Sequence, residues 1–396
     1  MPIPFVPTEI VEDIVFHLRA TSDYSLSESI SSGKALSLFC QWSAPIGQAL
    51  RWRFVKVDPS SMRSLSRHFQ QFPHLAKLVR TLIYTPAEEK GNGNVEEAAA
   101  RRRFRTESLD ELLLVLQSTS ELWRFDYNGV FEGSWVSGTA LGTIIQAASA
   151  LQRLKRFKLQ IADRVDWTAE ATRAFDVGFF DLEDLSIWLN LNPLLEPGFN
   201  SHPSSFSPKK VETFRACIGG DVADASSLGT YLLQQLDPSV LRECYLARSL
   251  ARNVNYELLS TCSRLNHLTI VPWSGNGSDS FFALVQNLQR LSSLHRIAIH
   301  VMGPLFLTGP TNIPLNQVLA ACPPSLRTFS LTKISFDDYA SIPVRPLPKS
   351  RRPGPVRFTA LRPGGSRQYV PLIVWKDGTD EGDGEKWYRT EVEHEV

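Results

Sequence analysis

The sequence predicts an α/β fold: a solenoid with a parallel sheet on its concave side and helices outside, preceded by a small all-α module. Three observations carry that prediction. A six-residue apolar pattern returns nine times, the segments between copies have helical apolar spacing, and the chain opens on a strongly signalled amphipathic helix.

The opening helix is read from "VPTEIVEDIVFHL", residues 6 to 18. Pro7 suits a first helical position, where its missing N–H costs nothing. Glu9, Glu12 and Asp13 sit early and His17 and Arg19 late, matching the helix dipole. Ile10, Ile14 and Leu18, with Val11 and Val15 beside them, make one apolar face that must bury against something. A serine-rich loop follows, and then "ALSLFCQWSAPIGQALRWRFVKV" reads as a helical pair broken at Pro45.

The repeat is apolar-x-x-apolar-x-apolar. It reads VRTLIY from 79, LWRFDY from 122, LKRFKL from 154, LEDLSI from 182, VETFRA from 211, LRECYL from 241, LNHLTI from 265, LHRIAI from 294 and LRTFSL from 326. Alternation at the fourth and sixth residues is the period of a half-buried strand. Between copies, Leu109, Leu112, Leu113 and Leu116 keep helical spacing, as do Leu141, Ile144, Ile145 and Ala148. So do Leu228, Tyr231, Leu232 and Leu236, and then Phe281, Phe282, Val285, Leu288 and Leu291. Ordering six strand residues costs ~9 kcal/mol and burying three apolar side chains returns roughly 4.5 to 9, so a rung is stable only when stacked on neighbours. The segment 87–107, "AEEKGNGNVEEAAARRRFRTE", reads as a protruding charged insertion. Beyond the repeats, "KSRRPGPVR" opens a proline-rich connector. The tail "QYVPLIVWKDGTDEGDGEKWYRTEV" reads as two strands paired around an acidic turn.

At Val6, Pro7, Glu9, Ile10 and Ile14, and again at Leu38, Phe39, Cys40 and Trp42, the chain resembles the F-box-like module. The hexamers are similar to the strand core of leucine-rich repeats. The layout as a whole is similar to fungal F-box-like proteins with divergent leucine-rich repeats. It divides the chain into a module at 1–55, a solenoid at 56–340 and a connector with C-terminal strands at 341–396. The resemblance implies that Val6, Pro7, Glu9, Ile10, Ile14, Leu18, Leu38 and Trp42 dock a Skp-type adaptor of a cullin-RING ubiquitin ligase, leaving the repeats to choose a protein target. Capping the exposed end of the solenoid uses the same apolar stripe, and a repeat scaffold without a ubiquitin role is the alternative.

Composition sets the remaining bounds. A formal net charge of +1 over 396 residues gives no overall bias toward nucleic acid or an anionic membrane. Five cysteines without a C-x-x-C pair fit neither a disulfide framework nor a zinc site, so a reducing cytoplasmic or nuclear setting is expected. No phosphate loop, dinucleotide signature, nucleophile elbow or metal-ligand cluster is read, so neither catalysis, nor a cofactor, nor a metal is expected. Recognition is then placed on outward strand positions. The third and fifth residues of each hexamer, and the one after the last, give Arg124, Arg156, Lys158, Trp188, Arg215, Tyr245, His267 and Arg296, with Asp126, Asp184, Thr213, Glu243, Thr269 and His300 beside them. Arg, Trp and Tyr are the types that most often become interface hot spots.

Overall fold

The computed structural model describes residues 51–85, 109–129, 138–179, 181–192, 208–272, 277–300, 315–326, 328–332, 356–361, 369–376 and 387–391. The expected adaptor-docking residues Val6, Pro7, Glu9, Ile10, Ile14, Leu18, Leu38 and Trp42, and the charged insertion 87–107, lie outside them. The chain forms two compact units, Met1–Val130 with Ala147–Phe157, and Phe131–Gln146 with Lys158–Val396.

In the first unit, strands β1 (Phe54–Val57), β2 (Thr81–Tyr84) and β3 (Arg124–Gly129) pair in parallel and in chain order, with Phe54 beside Thr81 and Thr81 beside Arg124. The helix Pro59–Gln71 crosses between β1 and β2. It starts where Asp58 accepts a hydrogen bond from the Ser61 N–H (2.9 Å) while the Ser61 hydroxyl accepts from the Asp58 N–H (3.1 Å), with Pro59 in the first turn. It stops at Phe72, ahead of Pro73. Met62 and Phe69 are buried on its inner side.

The second unit carries β4 (Arg156–Val165), whose first two residues fall in the first unit, and β5 (Asp181–Leu191), β6 (Lys210–Gly219), β7 (Glu243–Arg248), β8 (His267–Val271), β9 (Arg296–His300) and β10 (Thr328–Thr332). Its strand order follows the chain and does not close on itself. Pairing is parallel from β5 to β11 (Val356–Leu361), then antiparallel to β12 (Tyr369–Lys376) and β13 (Trp387–Glu391). This is a mixed α/β arrangement of solenoid type, with parallel strands stacked in sequence order and helices between them.

All nine hexamers become strands, and seven of those strands begin at the third residue of the hexamer. The first residue explains why. Its N–H donates to the carbonyl three residues back in Val79, Leu122, Leu154, Leu265, Leu294 and Leu326, so a tight turn precedes each of these rungs. The side chains of those six residues are at most 5% exposed. Fourth and sixth residues such as Phe125, Leu159, Leu185, Phe214, Leu246 and Ile270 are buried as the alternation requires, each worth about 1.5–3 kcal/mol of transfer free energy.

Four features depart from the sequence expectation. β1 is a further rung, "WRFVKV" from Trp52, which fits the same pattern and ends beyond residue 55. β5 and β6 run to 11 and 10 residues rather than six, because the alternation continues through Leu189, Leu191 and Ile218. β11 lies inside the stretch read as a connector. Phe282, expected on the apolar face of its helix, is exposed, and Leu284 takes the buried position.

Helix Val222–Gln234 starts where Asp221 accepts from the Ala223 N–H (2.8 Å). Gly229 at its centre is required by packing: a Cβ there would sit 2.0 Å from Leu250 Cδ1, and Leu250 is buried in the 3-10 turn Ser249–Arg252. Lys209, one residue before β6, is fully buried. Its ammonium donates to the carbonyls of Asp176 (3.0 Å) and Gly178 (2.7 Å) and lies 5.0 Å from the Phe175 ring centroid. It thereby ties down the turn in which Phe179 adopts φ 61°, a left-handed conformation that costs a non-glycine residue energy. Tyr231 closes the cluster by donating to the Asp176 carboxylate at 2.5 Å.

Two outcomes test this packing. Gly229→Ala should lower stability by about 1–3 kcal/mol through overpacking, read as a shift of the urea midpoint at constant slope. Burial pulls the Lys209 ammonium from its ordinary 10.5 down to about 8, with nearby Asp176 opposing the shift. Between those values the unfolded chain holds a proton that the folded chain lacks, so this residue makes stability rise with pH there. The stability difference between the native chain and Lys209→Met should therefore shift in favour of the native chain from pH 8 to 10.5 and stay flat below; a flat difference throughout would refute the assignment.

Candidate functional site

A period-two strand offers two faces. Where the fourth and sixth residues of the hexamer bury toward the helices, the third, fifth and seventh align across neighbouring strands on the other face. In the second unit the pairing register makes three rows. Asp184, Thr213, Glu243, His267 and Arg296 form the first, and Ser186, Arg215, Tyr245, Thr269 and Ala298 the second. Trp188, Cys217, Ala247 and Val271 form the third.

The third row is apolar and sealed. Cys217, Ala247 and Val271 are buried, and Trp188 and Tyr245 pack against them from above, half-buried, with rings parallel to within 6° and centroids 6.2 Å apart. Trp188 stands on β5 and Tyr245 on β7, so the rings lean together over Cys217 on the strand between. Burial pushes the Cys217 thiol upward despite the Arg248 charge nearby, which makes it a packing residue. The indole Nε1 of Trp188 is withdrawn from water and has no hydrogen-bond partner.

Two cations lie near the ring pair, Lys158 beside Trp188 and Arg248 within electrostatic reach of Tyr245. The Lys158 ammonium lies 5.8 Å from the Trp188 ring centroid, a cation–π distance. Arg248, at the end of β7 with φ 61°, reaches over Gly219: a Cβ at that glycine would meet the Arg248 guanidinium at 3.4 Å and Asn190 Oδ1 at 2.8 Å. Neither cation has a carboxylate partner among the described residues. Arg215 is different, since it pairs with Asp184 at 2.8 Å. His267 accepts or donates one hydrogen bond with the Thr269 hydroxyl (3.3 Å). Burial lowers its pKa below the usual histidine value, with Glu243 opposing and Arg296 adding to the shift.

In the first unit the same face is engaged internally. Arg124 grips Asp126 through Nε (3.0 and 3.1 Å) and Nη2 (2.6 Å), and Asp126 is 4% exposed beneath it. Arg156 lies over the Trp123 ring at 4.5 Å. The outward pattern assigns both to a target, yet both spend their guanidinium groups on the chain itself.

The structure therefore draws Lys158, Trp188 and Tyr245 into one cluster, with Arg215, His267 and Arg296 on rows beside it. Sequence reasoning misses Arg248, because the hexamer ends two residues earlier. The signal that points to it is Gly219, a glycine where the alternating pattern calls for a side chain. Among the described residues no group of three or more His, Cys, Asp or Glu side chains is placed to hold a metal, and no helix is long and apolar enough to cross a membrane. No protein-family model matches the chain, and no curated protein matches it.

Glu243 is the carboxylate that supports the protonated form of His267. Glu243→Gln should lower the His267 pKa further, followed by NMR of the imidazole protons; an unchanged titration would place the carboxylate out of reach.

Proposed function

We propose that the chain is the substrate-recognition subunit of a Skp-cullin-F-box type ubiquitin ligase. The N-terminal module docks the adaptor through Val6, Pro7, Glu9, Ile10, Ile14, Leu18, Leu38 and Trp42, and the strand face opposite the helices binds a protein target. Catalysis belongs to the partners. The observation that carries the target half is the half-exposed Trp188–Tyr245 pair on an ordered strand face, an aromatic anchor of the kind that dominates interfaces. The adaptor half rests on the Pro-x-Glu-Ile start and the Cys-x-Trp segment of the sequence.

Co-purification with a Skp-type adaptor tests the first half. The full chain should bind, and a chain lacking residues 1–50, which keeps β1 intact, should not. Failure of the full chain to bind would leave a recognition scaffold without a ubiquitin role. For the second half, Trp188→Ala with Tyr245→Ala should abolish capture of the target; hot spots of this type cost about 2–4 kcal/mol each on truncation.

A further inference from the structure

The strand face in the second unit has a chemical preference that its rows make legible. Lys158 and Arg248 are half-buried cations without carboxylate partners among the described residues, Lys158 beside the Trp188 ring and Arg248 within electrostatic reach of Tyr245. The other cation beside the pair, Arg215, is already neutralised by Asp184. A complementary ligand brings negative charge next to apolar surface.

On the reading of this face as the target site, we propose that the Trp188–Tyr245 pair with Lys158 and Arg248 holds an acidic segment of the partner protein, its carboxylates meeting the two cations and an apolar side chain lying on the rings. A nucleic acid strand also offers anions and flat rings, but the face suits it less. A phosphate backbone needs several cations along its track, whereas on this face Arg215 is already matched by Asp184 and Glu243 adds a negative charge. Isolated carboxylates on a peptide need only the two cations beside the rings.

The experiment selects short random peptides from a display library on the immobilised full chain and measures the enriched peptides by fluorescence anisotropy. The expected result is enrichment of Asp or Glu next to Phe, Leu or Ile. Affinity should fall roughly tenfold or more in Lys158→Gln/Arg248→Gln, weaken as salt rises, and return in part in Lys158→Arg/Arg248→Lys. Melting curves of each variant check that the fold is kept, and both substituted side chains are partly in water. Enrichment without acidic bias, or no loss in the charge variant while Trp188→Ala/Tyr245→Ala abolishes binding, overturns the acidic chemistry and leaves the face as the target site. Unchanged binding in both variants, or no enrichment over the aromatic variant, overturns both. Competition by a single-stranded oligouridylate at the affinity of the peptides overturns the proposal in favour of nucleic acid.

Discussion

Everything in this protein hangs on one repeated hydrogen-bond step between rungs. In the first unit the Arg80 carbonyl accepts from the N–H groups of Trp123 and Arg124, and the Trp123 carbonyl accepts from those of Lys155 and Arg156. In the second, the Arg242 carbonyl accepts from Asn266 and His267, and the Asn266 carbonyl from His295 and Arg296. In each of these steps the acceptor is the second residue of a hexamer and the donors are the second and third of the next. A shared acceptor of this kind fixes the register at the start of each strand. Because side chains alternate with period two, a slip of one residue would turn every buried leucine outward.

From that fixed register the character of each face follows. Serines extend the same logic at the strand starts: Ser293 donates to the Leu265 carbonyl and Ser325 to the Leu294 carbonyl, each one residue before a rung and each capping the first carbonyl of the rung before. On the face away from the helices, β6 carries small residues, Cys217 and Gly219, between β5 and β7. Small residues on β6 leave room for larger ones on its two neighbours to lean inward. Trp188 and Tyr245 do so over Cys217, and Arg248 does so over Gly219. The binding cluster is thus a product of side-chain size along strand rows.

Much of this is legible in the sequence, for a physical reason. Hexamers report strands because stacking leaves one face in the core, and a core face must be apolar at alternate positions. What escapes is set by neighbours in space. Arg124 reads as an exposed cation, and only the rotamer that folds it onto Asp126, two residues along the same face, shows that it is spent. Lys209 reads as a polar residue leading into a strand. Its burial is decided by two carbonyls of a turn more than thirty residues earlier in the chain. "WRFVKV" hides because it directly follows an apolar helical pattern and so reads as the end of that helical pair, whereas Phe54–Val57 is a strand with Val55 and Val57 as buried as the repeat demands. In the C-terminal tail the reading of paired strands agrees with β12 and β13, where Lys376 lies beside Trp387. β11 is masked in the sequence by the prolines and basic residues just before it.

Stacked rungs feel their nearest neighbours most, and that decides how the candidate site should respond to change. Trp188, Cys217 and Tyr245 occupy three consecutive strands and share one contact, so the rings are energetically coupled. Removing either uncovers the same thiol and the same alanine and valine behind it, and the second removal then costs less than the first. Arg215 and Asp184 form a separate pair on adjacent strands, partly in water, where an ion pair is worth less than about 1 kcal/mol. Its role is to remove one cation from the field seen by a ligand. The charge available at the aromatic pair is therefore set by which cations the sheet has already matched, and Lys158 and Arg248, the two near the rings, have no carboxylate partner among the described residues.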